Sequence, residues 1–217
     1  MPSSRPSSGQ NGLVAEPWRW AATRREEFDT EALAYDTYRP RYPEELFDAI
    51  VRCLGTSDAT VLEVGAGTGI ASEPLVRRGL RVIAIEPAPA MANIARSKLG
   101  DRADVIVSTF EDWEMSAPVD LVAAFTSWHW VNPAIGVAKV ASVLQPGGVL
   151  ALTWTEVVQF GQEPFDRLSG LDQRVPPFAE AIEPHLRAFD EHGGFSRSAQ
   201  SCGSYSIGFS MPTPSWP

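Results

Sequence analysis

Cysteine is nearly absent from this chain: Cys53 and Cys202 are the only two in 217 residues. They lie far apart and show no metal-ligand spacing. That excludes a disulfide framework and a cysteine-built metal site, and leaves two free thiols as the expectation. Cys53 falls on the apolar face of an expected helix and reads as core. Histidine is almost as scarce, with only His129, His185 and His192. Basic residues are outnumbered, 18 Lys and Arg against 27 Asp and Glu, for a formal net charge of -9. That surplus repels nucleic-acid phosphates and argues against a nucleic-acid partner, while a local pocket can still take a small anion. No apolar run approaches the ~18 residues needed to span a bilayer. Residues 1–12 are rich in Ser, Pro, Gly and Gln and lack the apolar segment of a signal peptide. These absences predict a cytoplasmic protein with no membrane partner and no metal.

What is present is a hydrophobic fraction of 44%, ordinary for a globular protein, in a length that suits one full core with appendages. Residues 1–17 have the composition of a disordered tail. Residues 18–55 read as a helical arm or lid. Trp18, Trp20, Phe28 and Tyr35 stand among charges there, and Pro40 and Pro43 break the chain. A helix follows, with Glu44, Glu45 and Asp48 early in it and Leu46, Ile50, Val51 and Leu54 along one stripe.

From 56 to 160 strands and helices alternate. Strands are expected at 60–64, 81–85, 104–108, 120–125 and 148–154, and helices at 71–78, 91–99 and 134–144. Such short runs, apolar on both sides and separated by helices, indicate a mostly parallel sheet covered on both faces, the α/β Rossmann-like, doubly wound class. Residues 161–217 carry weaker signals. Segments 164–170 and 178–191 are candidate helices, and only 204–209 is strand-like after Gly193. The carboxyl-terminal edge is therefore expected to be incomplete or remodelled, with His185 and His192 on the surface and a disordered tail.

The central motif is Val61-Leu-Glu-Val-Gly65-Ala-Gly67-Thr-Gly69, after a strand and before a helix. Glycines there let the backbone turn tightly and approach a ligand closely. A dinucleotide loop would place its third glycine at position 70, which is Ile70; here it comes one residue early, at Gly69. Glu63 lies two residues before the bend. A carboxylate there suits a ligand with an ammonium group and repels a pyrophosphate. The second strand ends in Ile85-Glu86-Pro87, about 20 residues beyond the first glycine, where an acid grips a ribose diol. The pattern describes a ligand with a ribose and an amino-acid part and no phosphate, which S-adenosylmethionine satisfies.

These segments resemble the class I S-adenosylmethionine-dependent methyltransferases over roughly residues 28–160. The glycine loop with Glu63 looks like the family's first motif, and Glu86 and Pro87 resemble its ribose-binding acid segment. Val119–Thr126 resembles its fourth strand, and Leu144-Gln-Pro-Gly-Gly148 its turn into the fifth. Tyr35-Asp-Thr-Tyr-Arg39-Pro40-Arg-Tyr42-Pro43 is similar to a segment of many bacterial small-molecule methyltransferases. Phe110-Glu-Asp-Trp113 with Ser127-Trp-His129-Trp130 is similar to the trans-aconitate methyltransferase-like branch, whose members esterify carboxylates. The family's sheet normally closes with a carboxyl-terminal hairpin, and the sequence shows one convincing strand for it.

The resemblance implies roles. Gly65, Ala66, Gly67 and Gly69 contact the methionine part of the cofactor through backbone, and Glu63 faces its ammonium directly or through water. Tyr35 and Arg39 close over the same end. Glu86 and Pro87 hold the ribose, the segment at Phe110 and Glu111 lies against adenine, and Thr126 sits beside the transferable methyl. Trp128 and Trp130 wall the acceptor site. His129 reads as a general base, a donor to an acceptor carboxylate, or a packed structural residue, and the sequence leaves the three open. The expected function is O-methylation of a small molecule, on a carboxylate in the leading reading, by a monomer or homodimer. The rival readings are a non-catalytic cofactor-binding protein, a nicotinamide-dependent oxidoreductase, and a protein or RNA methyltransferase.

Overall fold

Strands that are apolar on both sides must be covered on both sides, and here such strands form the centre of one seven-stranded sheet. The computed structural model describes residues 21–154, 178–201 and 205–210. Strands β1 (Thr60–Val64), β2 (Arg81–Ile85), β3 (Ala103–Ile106), β4 (Val119–Phe125) and β5 (Leu144–Thr153) pair in parallel. Two more follow, β6 (Ser196–Ser201) and β7 (Tyr205–Ser210), with β7 antiparallel to both β5 and β6. The spatial order is β3-β2-β1-β4-β5-β7-β6. The order reverses between β1 and β4, and a crevice opens beyond the carboxyl ends of strands at such a switch point.

The two-residue period of a strand sorts side chains onto the two faces. Leu62, Val64, Ile85, Val122, Ala124, Leu150 and Leu152 fill one core. It lies under α6 (Pro133–Val143) and α7 (Phe178–His192). Val61, Val82, Ala84, Leu121, Ala123 and Phe125 fill the other, against α3 (Glu44–Leu54) and α4 (Ser72–Arg77). Helix α5 (Pro89–Leu99) starts with Pro at its first position, where no N–H partner is lost. Asn132 caps α6 by accepting the Ala134 N–H at 3.0 Å.

The arm is two short helices, α1 (Ala21–Thr30) and α2 (Ala32–Tyr38). They pack on α5 through Phe28, Ala32, Tyr35, Ala88, Met91 and Ile94.

Two expectations change. Cys53 is exposed: the stripe of α3 is Leu46, Phe47 and Ile50, continued by Leu54. Cys53 stands about 70° from its centre at 100° per residue, just outside the edge that Leu46 forms. The carboxyl-terminal edge holds a hairpin where a single strand was expected. The expected strand at 204–209 lies at β7, and Ser196-Arg-Ser-Ala-Gln-Ser201 forms β6 beside it. An outer strand packs little apolar surface, so such a polar run carries no hydrophobic alternation to read. The expected tail at 1–17 and helix at 164–170 lie outside the described residues. Among the described residues no helix is long and apolar enough to cross a membrane.

Candidate active site

The glycine bend leaves β1 at the switch point. Gly65, Gly67 and Gly69 have φ of 70°, 58° and 78°, the left-handed region in which a Cβ is strained. A Cβ on Gly65 would also stand 2.6 Å from Ser127 Cβ. Four amides of the bend are turned inward. Gly65 and Ala66 both donate to the Ile85 carbonyl at 2.9 and 3.0 Å, and Gly69 donates to Ala66 O at 3.0 Å. Gly67 donates to Glu86 Oε2 at 2.8 Å. A phosphate cradle needs such amides turned toward the ligand. In this bend the Gly65, Ala66, Gly67 and Gly69 amides are all spent on the protein, and the glycines allow close approach.

Glu86 ends β2 buried at 7% exposure. Its Oε1 accepts the Ala88 N–H at 2.8 Å, so each carboxylate oxygen holds one amide and keeps lone-pair capacity for a ligand hydroxyl. Burial raises its pKa, against the lowering by the two amides and the Arg25 charge. Glu63 lies elsewhere. It shares the face of Val61 and points to α4, where Ser72 Oγ donates to its Oε2 at 2.6 Å. It is 1% exposed, and burial pushes its pKa from 4.5 up to about 8, with the Glu86 charge adding to the rise and Ser72 opposing it. The carboxyl therefore carries its proton at neutral pH.

At the end of β4, Thr126 is the one non-glycine described residue with positive φ, at 57°. For a β-branched residue this is strain held by its surroundings. Its N–H donates to Thr153 O at 2.6 Å, and its Oγ1 lies 3.1 Å from the Tyr42 hydroxyl. Ser127 Oγ donates to Val64 O, tying β4 to the start of the bend. A single 3-10 turn, Trp128–Trp130, follows. At three residues per turn its side chains point in three directions. Trp128 is fully buried, packed against Phe110 at 5.7 Å and Phe189 at 6.0 Å between ring centroids. Trp130 faces the crevice and meets Phe28 of the arm edge-on at 6.3 Å.

His129 is half-buried against Trp130. Burial, with smaller contributions from His185 and Arg39, lowers its pKa from 6.5 to about 4. His192 is exposed as expected, but His185 is fully buried, edge-on to Trp128. It follows Pro184 inside α7, at the helix expected over 178–191, and the sequence did not state which face of that helix turns inward. Burial lowers its pKa to about 4.

The segment after β3 is pinned to α6. Lys139 Nζ donates to the carbonyls of Glu111, at 2.8 Å, and Trp113, and Glu111 Oε1 accepts the Asn132 N–H at 2.7 Å. Between these elements and the arm lies a cleft of about 380 Å³. Of the residues singled out in the sequence, Tyr35, Gly65, Gly67, Glu86, Pro87, Phe110, Glu111, Thr126 and Trp130 line it. Arg39, Glu63, Ala66, Gly69, Trp128 and His129 are not among its lining residues. The Arg39 guanidinium lies over the Tyr35 ring, 5.6 Å from its centre. The sequence missed Arg25, Met91, Asn132 and Ile135, which also line the cleft. Arg25 and Phe28 are three apart on one helix face, a spacing that was legible; Asn132 before Pro133 was readable as a cap only.

Residues 62–152 match the family model described as a methyltransferase domain. An uncharacterized methyltransferase of Mycobacterium tuberculosis is 39% identical over 127 residues, 58% of this chain and 51% of that protein. A ubiquinone biosynthesis O-methyltransferase of Xylella fastidiosa is 38% identical over 109 residues, 48% of this chain and 44% of that protein. The chain thus spans about half the length of the curated relatives it matches. Among solved structures, the magnesium protoporphyrin IX methyltransferase of Synechocystis with bound S-adenosylhomocysteine superposes with a TM-score of 0.60. It is 16% identical, over 88% of this chain and 99% of that one.

Proposed function

We propose that this chain, whose residues 62–152 match a methyltransferase domain, is a class I S-adenosylmethionine-dependent methyltransferase that binds the cofactor in the cleft and transfers the methyl group to a small-molecule oxygen. The observation that carries this reading is the pairing of Glu86 with the inward-turned bend. A buried carboxylate with spare acceptor capacity suits a ribose diol, and a bend whose Gly65, Ala66, Gly67 and Gly69 amides are spent on the protein suits a pyrophosphate poorly. That distinction disfavours a nicotinamide cofactor on geometry as well as on Ile70. Ile85, Met91 and Phe110 supply apolar wall for a purine. Tyr35, Thr126 and Trp130 also line the cleft, and the two aromatic faces favour a sulfonium.

Bound there, the cofactor supplies a methyl group on a positively charged sulfur with a neutral leaving group. The chain's work is then alignment and exclusion of water. Positioning of two reactants accounts for about 7–11 kcal/mol in well-oriented systems. The strained Thr126 and the Tyr42 hydroxyl that braces it fix the β4 end where the reactants meet. No histidine lines the cleft among the described residues. His129 lies outside the lining, and a pKa lowered to about 4 leaves it a weak base. An acceptor that arrives ionised needs no base, so a carboxylate fits this cleft better than an amine or an alcohol.

The test is incubation of the chain with methyl-labelled cofactor and a metabolite extract. The expected product carries label that mild alkali releases as methanol, the behaviour of a methyl ester. Label stable to alkali would overturn the carboxylate assignment. Bound cofactor with no transfer would overturn catalysis and favour a cofactor-binding protein.

A further inference from the structure

The arm is fastened to the rest of the molecule by two aspartates, one at each end of α5. Asp29 of α1 accepts the Ala90 N–H at 2.5 Å, in the first turn of α5. Asp36 of α2 reaches the other end, where its Oδ1 accepts from Lys98 Nζ. The same oxygen accepts from Thr68 Oγ1 at 2.7 Å, and Thr68 is the fully buried residue between Gly67 and Gly69 of the bend. One carboxylate oxygen therefore joins the arm, the last turn of α5 and the glycine bend.

Arg41 adds a third cation, with its Nη1 3.6 Å from Asp36 Oδ1, and its Nη2 donates to the Asp36 carbonyl at 2.9 Å. Burial alone would raise the Asp36 pKa. The hydrogen bonds from Lys98 and Thr68 and the charges of Lys98 and Arg41 outweigh it and hold the carboxyl below its usual range. The Asp36 and Lys98 side chains are 18% and 23% exposed, sheltered enough for the pair to escape much of the screening of a surface ion pair.

The neighbour of Asp36 is the residue that covers the bend. Tyr35 lines the cleft, and its Cε1 would stand 3.8 Å from a Cβ at Gly67. Consecutive residues of one short helix thus do two jobs: Tyr35 roofs the glycine bend and Asp36 ties that roof to Thr68 inside it.

We propose that Asp36 and Lys98 are positioning residues that latch the arm to the glycine bend, so that the latch must open for the cofactor to leave. The proposal rests on the reading of the cleft as the cofactor site. Neither residue lines the cleft, so their effect travels through Tyr35 and Thr68.

The experiment measures two things on the full chain. The first is amide hydrogen exchange of the ligand-free protein at residues 32–38 and 65–69. Asp36→Ala should accelerate both segments together, and an unchanged bend would overturn the latch whatever the cleft binds. The second is the dissociation rate of S-adenosylhomocysteine, followed by tryptophan emission because Trp130 lines the cleft. Asp36→Ala and Lys98→Met should each speed dissociation about tenfold, as loss of a charge-assisted contact shows mostly in the off-rate. The double variant should be no faster than Asp36→Ala alone, because that substitution already removes the Lys98 contact. Lys98→Arg should restore the rate to within about twofold, since it keeps the cation. Additive effects, or no rescue by Arg, would overturn the pairing and leave a merely structural role. Coupled exchange in a wild-type chain that does not bind S-adenosylhomocysteine would overturn the cofactor reading and not the latch itself.

Discussion

Replacing Glu63 by Gln should stabilise the protein, and by more as the pH rises. Glu63 is fully buried on the α4 face of β1, and its pKa rises from 4.5 to about 8. Between those values the folded chain holds a proton that the unfolded chain has released. The unfolded state binds fewer protons there, so stability falls with rising pH, at about 1.4 kcal/mol per pH unit. The contribution is fully present below pH 4.5 and is lost as pH climbs through about 8. Gln is neutral throughout and its carbonyl can still accept from Ser72. Between pH 5 and pH 7 the stability gap between Glu63→Gln and wild type should therefore widen by about 3 kcal/mol, roughly 6–12 °C in melting temperature for a chain of this length. The buried histidines titrate alike in both proteins and cancel in the difference. Calorimetric melts of both proteins at pH 5, 6, 7 and 8 provide the assay. Parallel melting curves across that range would refute the assignment of a buried, protonated carboxyl.

The acid limb has the opposite sign. The pKa of His185 is lowered from 6.5 to about 4, so its contribution is present above pH 6.5 and lost as pH falls through 4. His185→Gln should shift the midpoint of acid unfolding downward, and an unshifted midpoint read by circular dichroism would contradict its burial as a neutral ring. Gly65→Ala combines a strained φ with a Cβ 2.6 Å from Ser127, and should cost about 2–4 kcal/mol in urea denaturation. Gly55→Ala, at φ 70° with open space around it, should cost only about 1 kcal/mol; equal losses would show that the Ser127 contact does not matter.

The strand and helix alternation from Thr60 to Thr153 was legible because each run had to be apolar on both sides. Bounds differ from the expected ones by a residue or two, except that β5 begins at Leu144. The site was legible where backbone geometry demands a residue type. The alternate glycines and the acid at Glu86 could be read because few other residues do what they do. Three features were not. Glu63 faces α4 because strand alternation puts it beside Val61, and a motif does not state which face is outward. Trp128 and Trp130 look equivalent in sequence, but a 3-10 turn sends one into the core and the other into the cleft. The β6 strand has no apolar pattern at all, and its existence depends on β7 offering it an edge.

The claim on which the rest depends is that Glu86 grips a ribose at the glycine bend. Titration calorimetry of S-adenosylhomocysteine into wild type and Glu86→Ala measures it. Two hydrogen bonds to a charged acceptor, at about 1.5–3 kcal/mol each, predict that the variant binds at least about a hundredfold more weakly, while NADH gives no heat with either protein. Equal affinity for S-adenosylhomocysteine in the two proteins, or tighter binding of NADH by the wild type, would contradict the account.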